Sequence, residues 1–193
     1  MSFYPDDQPI PEELRTDEFV LRPLTPAHVH LDYAALMVSK EMLRLWSGTS
    51  WPEDDFTVAQ NLEDLEMHDR EHQERVAFTY TVLSPDEREC LGCVYINPLT
   101  NHQERNKEEL TAVLPHTANI GFWVKQPRLA DKLDARLLAA LLAWFEREWS
   151  FTAVTFNTNE HNSQQIALLE QAGLRLKYKL NMPRRTQKYL IYA

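Results

Sequence analysis

Glycine and cysteine are both scarce in this sequence. Only four glycines occur in 193 residues, and there is no glycine- or serine-rich linker, low-complexity tract or internal repeat. The chain therefore gives no sign of a domain boundary, and its length suits one domain over residues 1–193. The two cysteines, Cys90 and Cys93, lie three apart in a predicted strand, where side chains alternate between faces. We expect their thiols on opposite faces, forming neither a disulfide nor a zinc site.

Long apolar runs and a basic N-terminus are also absent. No stretch approaches the ~18 apolar residues that a membrane-spanning helix requires. The first residues are acidic and lack the basic start and apolar segment of a signal peptide. The sequence therefore predicts a cytoplasmic protein.

Basic residues are few in the first part of the chain. Residues 1–75 contain 17 Asp and Glu against 6 Lys and Arg, whereas the remainder has 12 acidic and 14 basic residues. Phosphate contacts require clustered Lys and Arg, so this part disfavours nucleic acid and anionic membranes as partners. It favours a cationic small molecule or a basic protein tail, although most such charges are typical of a solvated surface.

Apolar periodicity and turn residues divide the chain into strands and helices. The predicted strands cover residues 18–24, 76–83, 89–96, 118–125, 152–157, 175–180 and 187–192. The predicted helices start after Thr25, start near Phe56, and cover residues 133–149 and 162–172. Residues 100–117 are interpreted as an irregular excursion. Strand–helix–strand connections need parallel pairing and hairpins need antiparallel pairing, so this order predicts an α/β fold with a mixed sheet and helices on both faces.

Three segments carry a resemblance to a known family: LRPL at residues 21–24, NIGFWV at residues 119–124 and NSQQIALLEQAGL at residues 162–174. Their order and spacing resemble the GNAT superfamily of N-acetyltransferases, in the branch that acetylates ribosomal-protein N-termini and small amines. The resemblance covers about residues 15–192. It implies a mostly antiparallel central sheet with one parallel, splayed pair of strands, and acetyl-CoA as co-substrate without a metal.

The resemblance implies that acyl-CoA binds where the two parallel strands separate. Pantetheine would pair with the backbone of Trp123, Val124 and Lys125. Pyrophosphate would lie on the next loop and the first turn of the long helix, where free N–H groups and the helix dipole favour anions. Further cofactor contacts are implied for Asn157 and Asn162. Counted without gaps, the loop comprises Leu129, Ala130, Asp131, Lys132, Leu133 and Asp134.

This loop departs from the family pattern, which has glycine where Lys132 stands and glycine or alanine where Asp134 stands. Glycine lets backbone approach a phosphate closely, and none lies near this loop. The ammonium of Lys132 would attract phosphate. The carboxylates of Asp131 and Asp134 would oppose it, or they serve only to favour the helix start.

The catalytic groups remain unassigned by the resemblance. The chemistry needs a base for the acceptor ammonium and a proton donor for the leaving thiolate. The family's glutamate and tyrosine positions correspond to Asn119 and Leu169, which supply neither. In the Asn-x-x-Ser pattern of the family, Asn162 matches and Gln165 replaces serine. Asn162 either orients the cofactor or caps a helix.

Trp46 and Trp51 fall where the acceptor-side loop of the family lies. They would form aromatic walls for a cationic acceptor, although core packing is the stronger expectation for at least one of them. The leading hypothesis is acetyl transfer from acetyl-CoA to a primary amine, on a small cationic molecule or a protein N-terminus. The alternative is a non-catalytic GNAT-like domain that binds a ligand or partner, and either a monomer or a homodimer is compatible with both.

A competing motif occurs at residues 68–72, where His68 and His72 complete the H-x-x-E-H pattern of inverted zinc peptidases. A helix would place both histidines on one face. The segment is highly charged, so such a match arises easily by chance, and no third ligand is evident. We predict an exposed helix face here and rank a zinc peptidase third.

Overall fold

The computed structural model describes residues 3–99, 116–181 and 187–193. It contains eight strands: β1 (Leu14–Arg15), β2 (Val20–Pro23), β3 (Phe78–Leu83), β4 (Cys90–Pro98), β5 (Thr117–Val124), β6 (Ala153–Asn159), β7 (Leu176–Asn181) and β8 (Lys188–Tyr192). They form one sheet in the order β1-β2-β3-β4-β5-β6-β8-β7. Every neighbouring pair is antiparallel except β5 and β6, which are parallel. The expected mixed, mostly antiparallel sheet is therefore confirmed.

Helices cover both faces of this sheet, as the sequence predicted. The helices are α1 (Val29–Val38), α2 (Lys40–Ser47), α3 (Val58–Gln73), α4 (Leu133–Glu148) and α5 (Ser163–Gln171). Apolar residues of α4 and α5 join one buried cluster with the sheet, while those of α1, α2 and α3 join a second. None of the helices in the described ranges is long and apolar enough to cross a membrane.

Helix α4 supplies much of the larger core. Its apolar residues recur every three or four positions, which produces one continuous inward stripe. Leu133, Leu137 and Leu141 are fully buried, and Trp144 packs edge-on against Tyr80 with ring centroids 5.1 Å apart. Each such side chain contributes ~1.5–3 kcal/mol by burial. This packing fixes where the helix begins, and therefore where its N-terminus meets the sheet.

Two features of the fold differ from the sequence-based prediction, and two predicted segments cannot be compared with the structure. Helix α2 and the short strand β1 were not predicted; α2 is separated from α1 only by Ser39, so the two merge in the apolar pattern. Thr25 is extended and precedes a 3₁₀ turn at Pro26–His28 that leads into α1. Most of the predicted excursion, residues 100–115, and the turn of the last hairpin, residues 182–186, lie outside the described residues.

Cys90 and Cys93 lie on the same face of the sheet, so the expectation of opposite faces is wrong. Leu83 pairs with Cys90 while Val82 pairs with Gly92, which leaves one extra residue in β4. This β-bulge shifts the alternation of side chains by one position. Both thiols are free and are buried in the cluster beneath α1, α2 and α3. Burial raises the pKa of the Cys90 thiol to about 12.

Helix α3 begins with a capping box. The stability of this helix determines how firmly its inward-facing side chains are held. Thr57 accepts the backbone N–H of Gln60 at its hydroxyl, and Gln60 Oε1 accepts the backbone N–H of Thr57 at 2.8 Å. Thr57→Ala should lower the free energy of unfolding by ~1 kcal/mol, because one N–H of the first turn loses its acceptor. Urea unfolding measures this, and Thr57→Ser is the matched control that should stay near wild type. Equal losses in both variants would contradict the capping role.

Candidate active site

Strands β5 and β6 separate partway along the sheet. Their last parallel pair joins Ile120 to Phe156. Beyond it, residues 121–124 stay paired with β4, whereas residues 157–159 pair with β8. A cleft therefore opens between the two strands at their C-terminal ends, where ligands bind in many sheets with parallel strands.

The open edge of β5 presents the backbone of two residues to this cleft. The N–H of Lys125 donates to Leu91 O at 2.7 Å, which lies on the β4 side. Because backbone groups of alternate residues point to the same side of a strand, those of Trp123 also face β4. Those of Phe122 and Val124 face the cleft. Of the three residues predicted to pair with pantetheine, only Val124 therefore offers its backbone to the cleft, and Phe122 joins it.

The apex of the cleft is formed by side chains that meet at Gly121. A Cβ atom at Gly121 would lie 3.4 Å from Asn157 Nδ2 and 3.5 Å from Trp46 Cζ2. Both are ordinary van der Waals distances, so a methyl group at this position would fill the space between the two side chains. Asn157 and Trp46 were both predicted site residues, and the structure brings them together here.

Gln165 spans the cleft close to this apex. Its Nε2 donates to Phe122 O at 2.9 Å, while its Oε1 accepts from Thr158 Oγ1 at 3.0 Å and from Asn162 Nδ2 at 3.3 Å. The side chain is only 7% exposed. It therefore links β5, β6 and α5 through one amide. Asn162 caps α5 by accepting the backbone N–H of Gln165 at 3.2 Å, so the capping interpretation of Asn162 is observed.

The cleft continues between α2, α4 and α5 and has an empty volume of about 350 Å³. Its lining combines apolar side chains with amides and one carboxylate, namely Met42, Trp46, Phe122, Trp123, Val124, Leu129, Asp134, Asn162, Gln164, Gln165 and Leu168. The sequence did not single out Met42, Gln164 or Leu168, because nothing in their local pattern distinguishes them from ordinary helix residues. Phe122 and Gln165 lay inside the quoted motifs but were given no role.

The loop before α4 reaches the helix through a left-handed residue. A 3₁₀ turn at Gln126–Arg128 is followed by a second turn, in which Lys132 N–H donates to Leu129 O at 3.0 Å. Lys132 then adopts φ 57° and ψ 35°, the region that glycine enters most easily. The resemblance places a glycine at this position. The backbone therefore keeps a glycine-like geometry although the residue is lysine.

Lys132, the N-cap residue of α4, makes no side-chain capping hydrogen bond. Asp134 Oδ1 accepts the backbone N–H of Ala135 at 2.9 Å, and its Oδ2 lies 3.5 Å from Gln164 Nε2. Asp131 pairs with Arg128 at 3.5 Å, and its side chain is exposed. Lys132 is exposed too, with no ion pair to any residue in the described ranges. One unpaired ammonium and one carboxylate therefore stand beside the helix terminus.

Helix α2 is fastened at its C-terminal end to the strands that border the cleft. Tyr189 donates from its hydroxyl to Ser47 O at 2.7 Å, and Asn159 Nδ2 donates to Leu45 O at 2.8 Å. Gly48 ends the helix in the left-handed region with φ 64°. These contacts hold Trp46 over the apex, where its ring also packs against Tyr95 with centroids 5.6 Å apart.

A second cavity of about 260 Å³ lies between α1, α3 and β4. It is lined by Leu24, Asp32, Leu36, Trp51, Asn61, Asp64, Leu65, His68 and Tyr95. Trp51 therefore lines this cavity, while Trp46 lines the cleft. The predicted aromatic pair is divided between two neighbouring cavities, and Tyr95 touches both through its contact with Trp46.

The two histidines of the H-x-x-E-H pattern face inward, so the prediction of an exposed face is wrong for them. His68 Nδ1 lies 3.2 Å from Glu71 Oε2 and 3.3 Å from Thr79 Oγ1. The ring of His72 packs against Phe78 and Tyr80, with centroids 5.2 and 5.5 Å apart. Burial lowers the pKa of His72. Within the described ranges, no three His, Cys, Asp or Glu side chains are grouped to hold a metal ion.

Comparison with known proteins identifies the family. The model of the acetyltransferase (GNAT) domain matches residues 18–175, so the chain belongs to this family and is an acetyltransferase that acts on an amine. No curated protein sequence gives a significant match. The GNAT resemblance seen in the sequence is therefore confirmed, and the ordered motifs at residues 21–24, 119–124 and 162–174 were sufficient to find it.

Solved structures with the same fold include several acetyltransferases. The ribosomal L7/L12 α-N-protein acetyltransferase RimL in complex with coenzyme A is 15% identical, with TM-score 0.71 and coverage of 94% of this chain and 96% of that one. A ribosomal-protein-S5-alanine acetyltransferase from Vibrio fischeri is 13% identical, with TM-score 0.70 and coverage of 94% and 95%. The microcin C7 self-immunity acetyltransferase MccE with acetyl-CoA and AMP is 15% identical, with TM-score 0.70 and coverage of 92% of both chains. At these identities the likeness concerns the fold.

The conformation of Lys132 leads to a stability prediction. A residue with a Cβ atom in the left-handed region costs ~1–2 kcal/mol relative to its preferred conformations. Lys132→Gly should therefore be more stable than Lys132→Ala by about 1 kcal/mol, since both lose the same charge and only alanine keeps the Cβ atom. Chemical denaturation of the two variants measures the difference. A less stable glycine variant would contradict the left-handed geometry of the loop.

The buried carboxyl of Asp32 leads to a prediction about pH. Burial raises its pKa from 3.8 to about 6, against the opposing hydrogen bond from Asn61. The folded protein therefore holds this proton more tightly than the unfolded chain, and stability contributed by the neutral carboxyl is lost as pH rises from about 4 to about 7. This shift in the pKa of Asp32 corresponds to a change of about 3 kcal/mol at most in the free energy of unfolding.

Asp32→Asn keeps the shape of the side chain and an acceptor for Asn61 but removes the charge. It should raise the free energy of unfolding at pH 7.5 by about 2–3 kcal/mol and change it little at pH 4. Urea unfolding at both pH values tests this, with Asp55→Asn as an exposed control of equal charge change. A gain of the same size at both pH values would show that ionisation of Asp32 is not the cause.

Proposed function

We propose that this acetyltransferase uses acetyl-CoA as the donor and acetylates a primary amine, on a small cationic molecule or a protein N-terminus. The observation that carries the proposal is the separation of β5 and β6 next to the start of α4. It leaves the backbone of Phe122 and Val124 facing a cleft that ends at the N-terminus of α4, where the N-cap residue Lys132 makes no side-chain capping bond. Two of the fold's structural neighbours are described as complexes with coenzyme A or acetyl-CoA.

The donor site fits an acyl-CoA molecule in its shape and its backbone chemistry. A narrow cleft with alternate backbone N–H and C=O groups suits the two amides of pantetheine, as an added strand suits a sheet edge. The turn through Lys132 directs the α4 N-terminus at the end of the cleft, where a pyrophosphate would meet helix N–H groups and the positive end of the dipole. In this proposal, residues 129–134 hold the pyrophosphate.

Two side chains are expected to lower the affinity for acetyl-CoA. Asp134 places a carboxylate beside the helix terminus, where it competes with an incoming pyrophosphate. Gln165 Nε2 already donates to the carbonyl oxygen of Phe122. Pantetheine can therefore donate to this oxygen only if the side-chain amide of Gln165 moves away or shares it. We expect modest affinity for the donor, with Lys132 supplying the charge that offsets Asp134.

The remaining residues divide between donor and acceptor. The unprotonated amine would attack the carbonyl carbon of the acetyl thioester. The C–N bond forms as the C–S bond breaks, so coenzyme A leaves as a thiolate, and the proton lost from the nitrogen neutralises that thiolate directly or through solvent. Asn157 at the apex and Asn162 at the cap of α5 orient the acyl end, since both lie where the strands separate. Trp46 covers Gly121 from the side of α1, α2 and α3, so the acceptor approaches from that side of the sheet. Trp51 lines the neighbouring cavity on the same side.

Titration of acetyl-CoA into purified protein by calorimetry tests the donor site. Substitutions at Lys132 and Asp134 show whether each charge strengthens or weakens the binding of acetyl-CoA. A charge-assisted contact contributes ~1.5–3 kcal/mol, so Lys132→Ala should weaken binding roughly tenfold to a hundredfold. Lys132→Gly should retain part of the affinity, because backbone approaches the phosphates more closely, and Lys132→Glu should lose the most. Asp134→Asn should bind more tightly, because a repulsive charge is removed.

Lys177→Ala serves as the matched control, since it removes an exposed lysine from β7. Its affinity should equal that of the wild type. If the wild type shows no binding at millimolar acetyl-CoA, the enzyme proposal fails and the non-catalytic alternative replaces it. If it binds but none of the four site variants differs from Lys177→Ala, the pyrophosphate does not lie on this loop.

A further inference from the structure

The second cavity, between α1, α3 and β4, adjoins the apex of the cleft. Tyr95 lines the cavity and pairs with Gly121 across β4 and β5, so both residues face the same side of the sheet. The ring of Tyr95 packs against Trp46, which lies 3.5 Å from the Cβ position of Gly121. This aromatic pair therefore connects the cavity lining to the point where β5 and β6 diverge.

One wall of the cavity holds a carboxylate whose hydrogen bonding is incomplete. Asp32 is 4% exposed, and its Oδ2 accepts Asn61 Nδ2 at 3.0 Å. Within the described ranges, Oδ1 has no hydrogen-bond donor, and neither lysine nor arginine forms an ion pair with Asp32. A buried carboxylate without a cation is costly, and proteins ordinarily pair such a group or hydrogen-bond it fully. The unmet acceptor of Asp32 borders an open cavity.

The rest of the lining has the character of a cation site. Asp64 adds a second carboxylate, and none of the described residues that line the cavity is a lysine or arginine. Trp51 and Tyr95 supply aromatic faces, which attract cations through their quadrupoles. The Nδ1 atom of His68 is already engaged by Glu71 and Thr79. A phosphate or carboxylate would be repelled by this lining, and a neutral apolar group would leave Asp32 without a donor.

We propose that this cavity binds a primary ammonium group of the acceptor, with the carboxylate of Asp32 as its main hydrogen-bond acceptor and Trp51 and Tyr95 as its aromatic walls. The proposal rests on the acetyl transfer proposed above and names what selects the acceptor. An ammonium has three N–H donors, one of which Asp32 Oδ1 would accept. A small alkylammonium or the end of a lysine-like chain carries such a group.

The titratable groups around Asp32 determine when the site is charged. Asp64 and His68 face it from α3, and Cys90, Cys93 and Tyr95 face it from β4. Burial raises the pKa of each of these three β4 groups, so they stay neutral near pH 7. Since the pKa of Asp32 is about 6, its carboxylate is ionised above that pH. Affinity for an ammonium should therefore fall as pH drops from 7 to 5.

The test uses 1-butylamine as the cationic probe and 1-butanol as its neutral counterpart, each titrated by calorimetry without acetyl-CoA. Asp32→Asn should bind butylamine roughly tenfold to a hundredfold more weakly than wild type, because a charge-assisted contact is lost. Its affinity for butanol should not change. Asp55→Asn removes an exposed acid from the loop before α3, and it should bind butylamine as the wild type does.

Several outcomes would overturn the ammonium site. Equal butylamine affinity in wild type and Asp32→Asn would do so, as would equal losses in Asp32→Asn and Asp55→Asn, which would indicate only long-range attraction. Butanol binding as tight as butylamine, or no butylamine binding by wild type at tens of millimolar, would also end it. Unfolding curves at pH 7.5 show whether Asp32→Asn is folded.

Failure of this inference is distinguishable from failure of the proposed function. Acetyl-CoA is titrated into the same proteins, and Asp32→Asn should bind it like the wild type, because Asp32 lies outside the cleft. Butylamine binding without acetyl-CoA binding would uphold the cation site and end the transferase proposal. In steady-state kinetics with an amine that the enzyme acetylates, Asp32→Asn should raise KM for the amine and leave KM for acetyl-CoA unchanged. An unchanged KM for the amine would contradict the ammonium site.

Discussion

The divergence of β5 and β6 after the Ile120–Phe156 pair is the constraint on which the rest of the site depends. Because β5 stays on β4 and β6 moves to β8, one edge of β5 loses its hydrogen-bond partner within the sheet. An unpaired backbone edge inside a protein requires another partner. Gln165 satisfies one carbonyl at the narrow end, and the wider end remains an open cleft beside α4.

The start of α4 follows from packing rather than from the local sequence of its loop. Leu133, Leu137 and Leu141 are fully buried, and together they contribute several kcal/mol. The left-handed conformation of Lys132 costs only about 1–2 kcal/mol. Burial of the helix therefore outweighs the strain, and the backbone reaches the geometry of a glycine-containing loop without glycine. Lysine at the position where the family has glycine therefore changes the charge of the loop while the residue keeps the left-handed conformation.

The proposed functions of the two cavities place opposite charges on the two sides of the apex. An exposed lysine stands near the helix terminus where a polyanionic donor would bind, whereas Asp32 and Asp64 line the cavity proposed for the acceptor. The rings of Trp46 and Tyr95 are in contact where the two cavities meet. Because fields of opposite sign favour different ligands, this division would keep donor and acceptor from exchanging places.

The sequence by itself determined the element order apart from β1 and α2, as well as the mixed sheet, the family and the approximate position of the loop, because those depend on periodicity, turn residues and motif spacing along the chain. It also singled out Asn162 and Trp46, which line the cleft, and Asn157, which lies at its apex, whereas Trp51 lines the neighbouring cavity. Only the tertiary structure decided that a bulge in β4 brings Cys90 and Cys93 to one face, and that His68 and His72 point inward. The bridge made by Gln165 and the unmet carboxylate of Asp32 were equally invisible, since each depends on groups from strands and helices far apart in sequence. Pairwise contacts across such distances leave no periodic signal in a single chain.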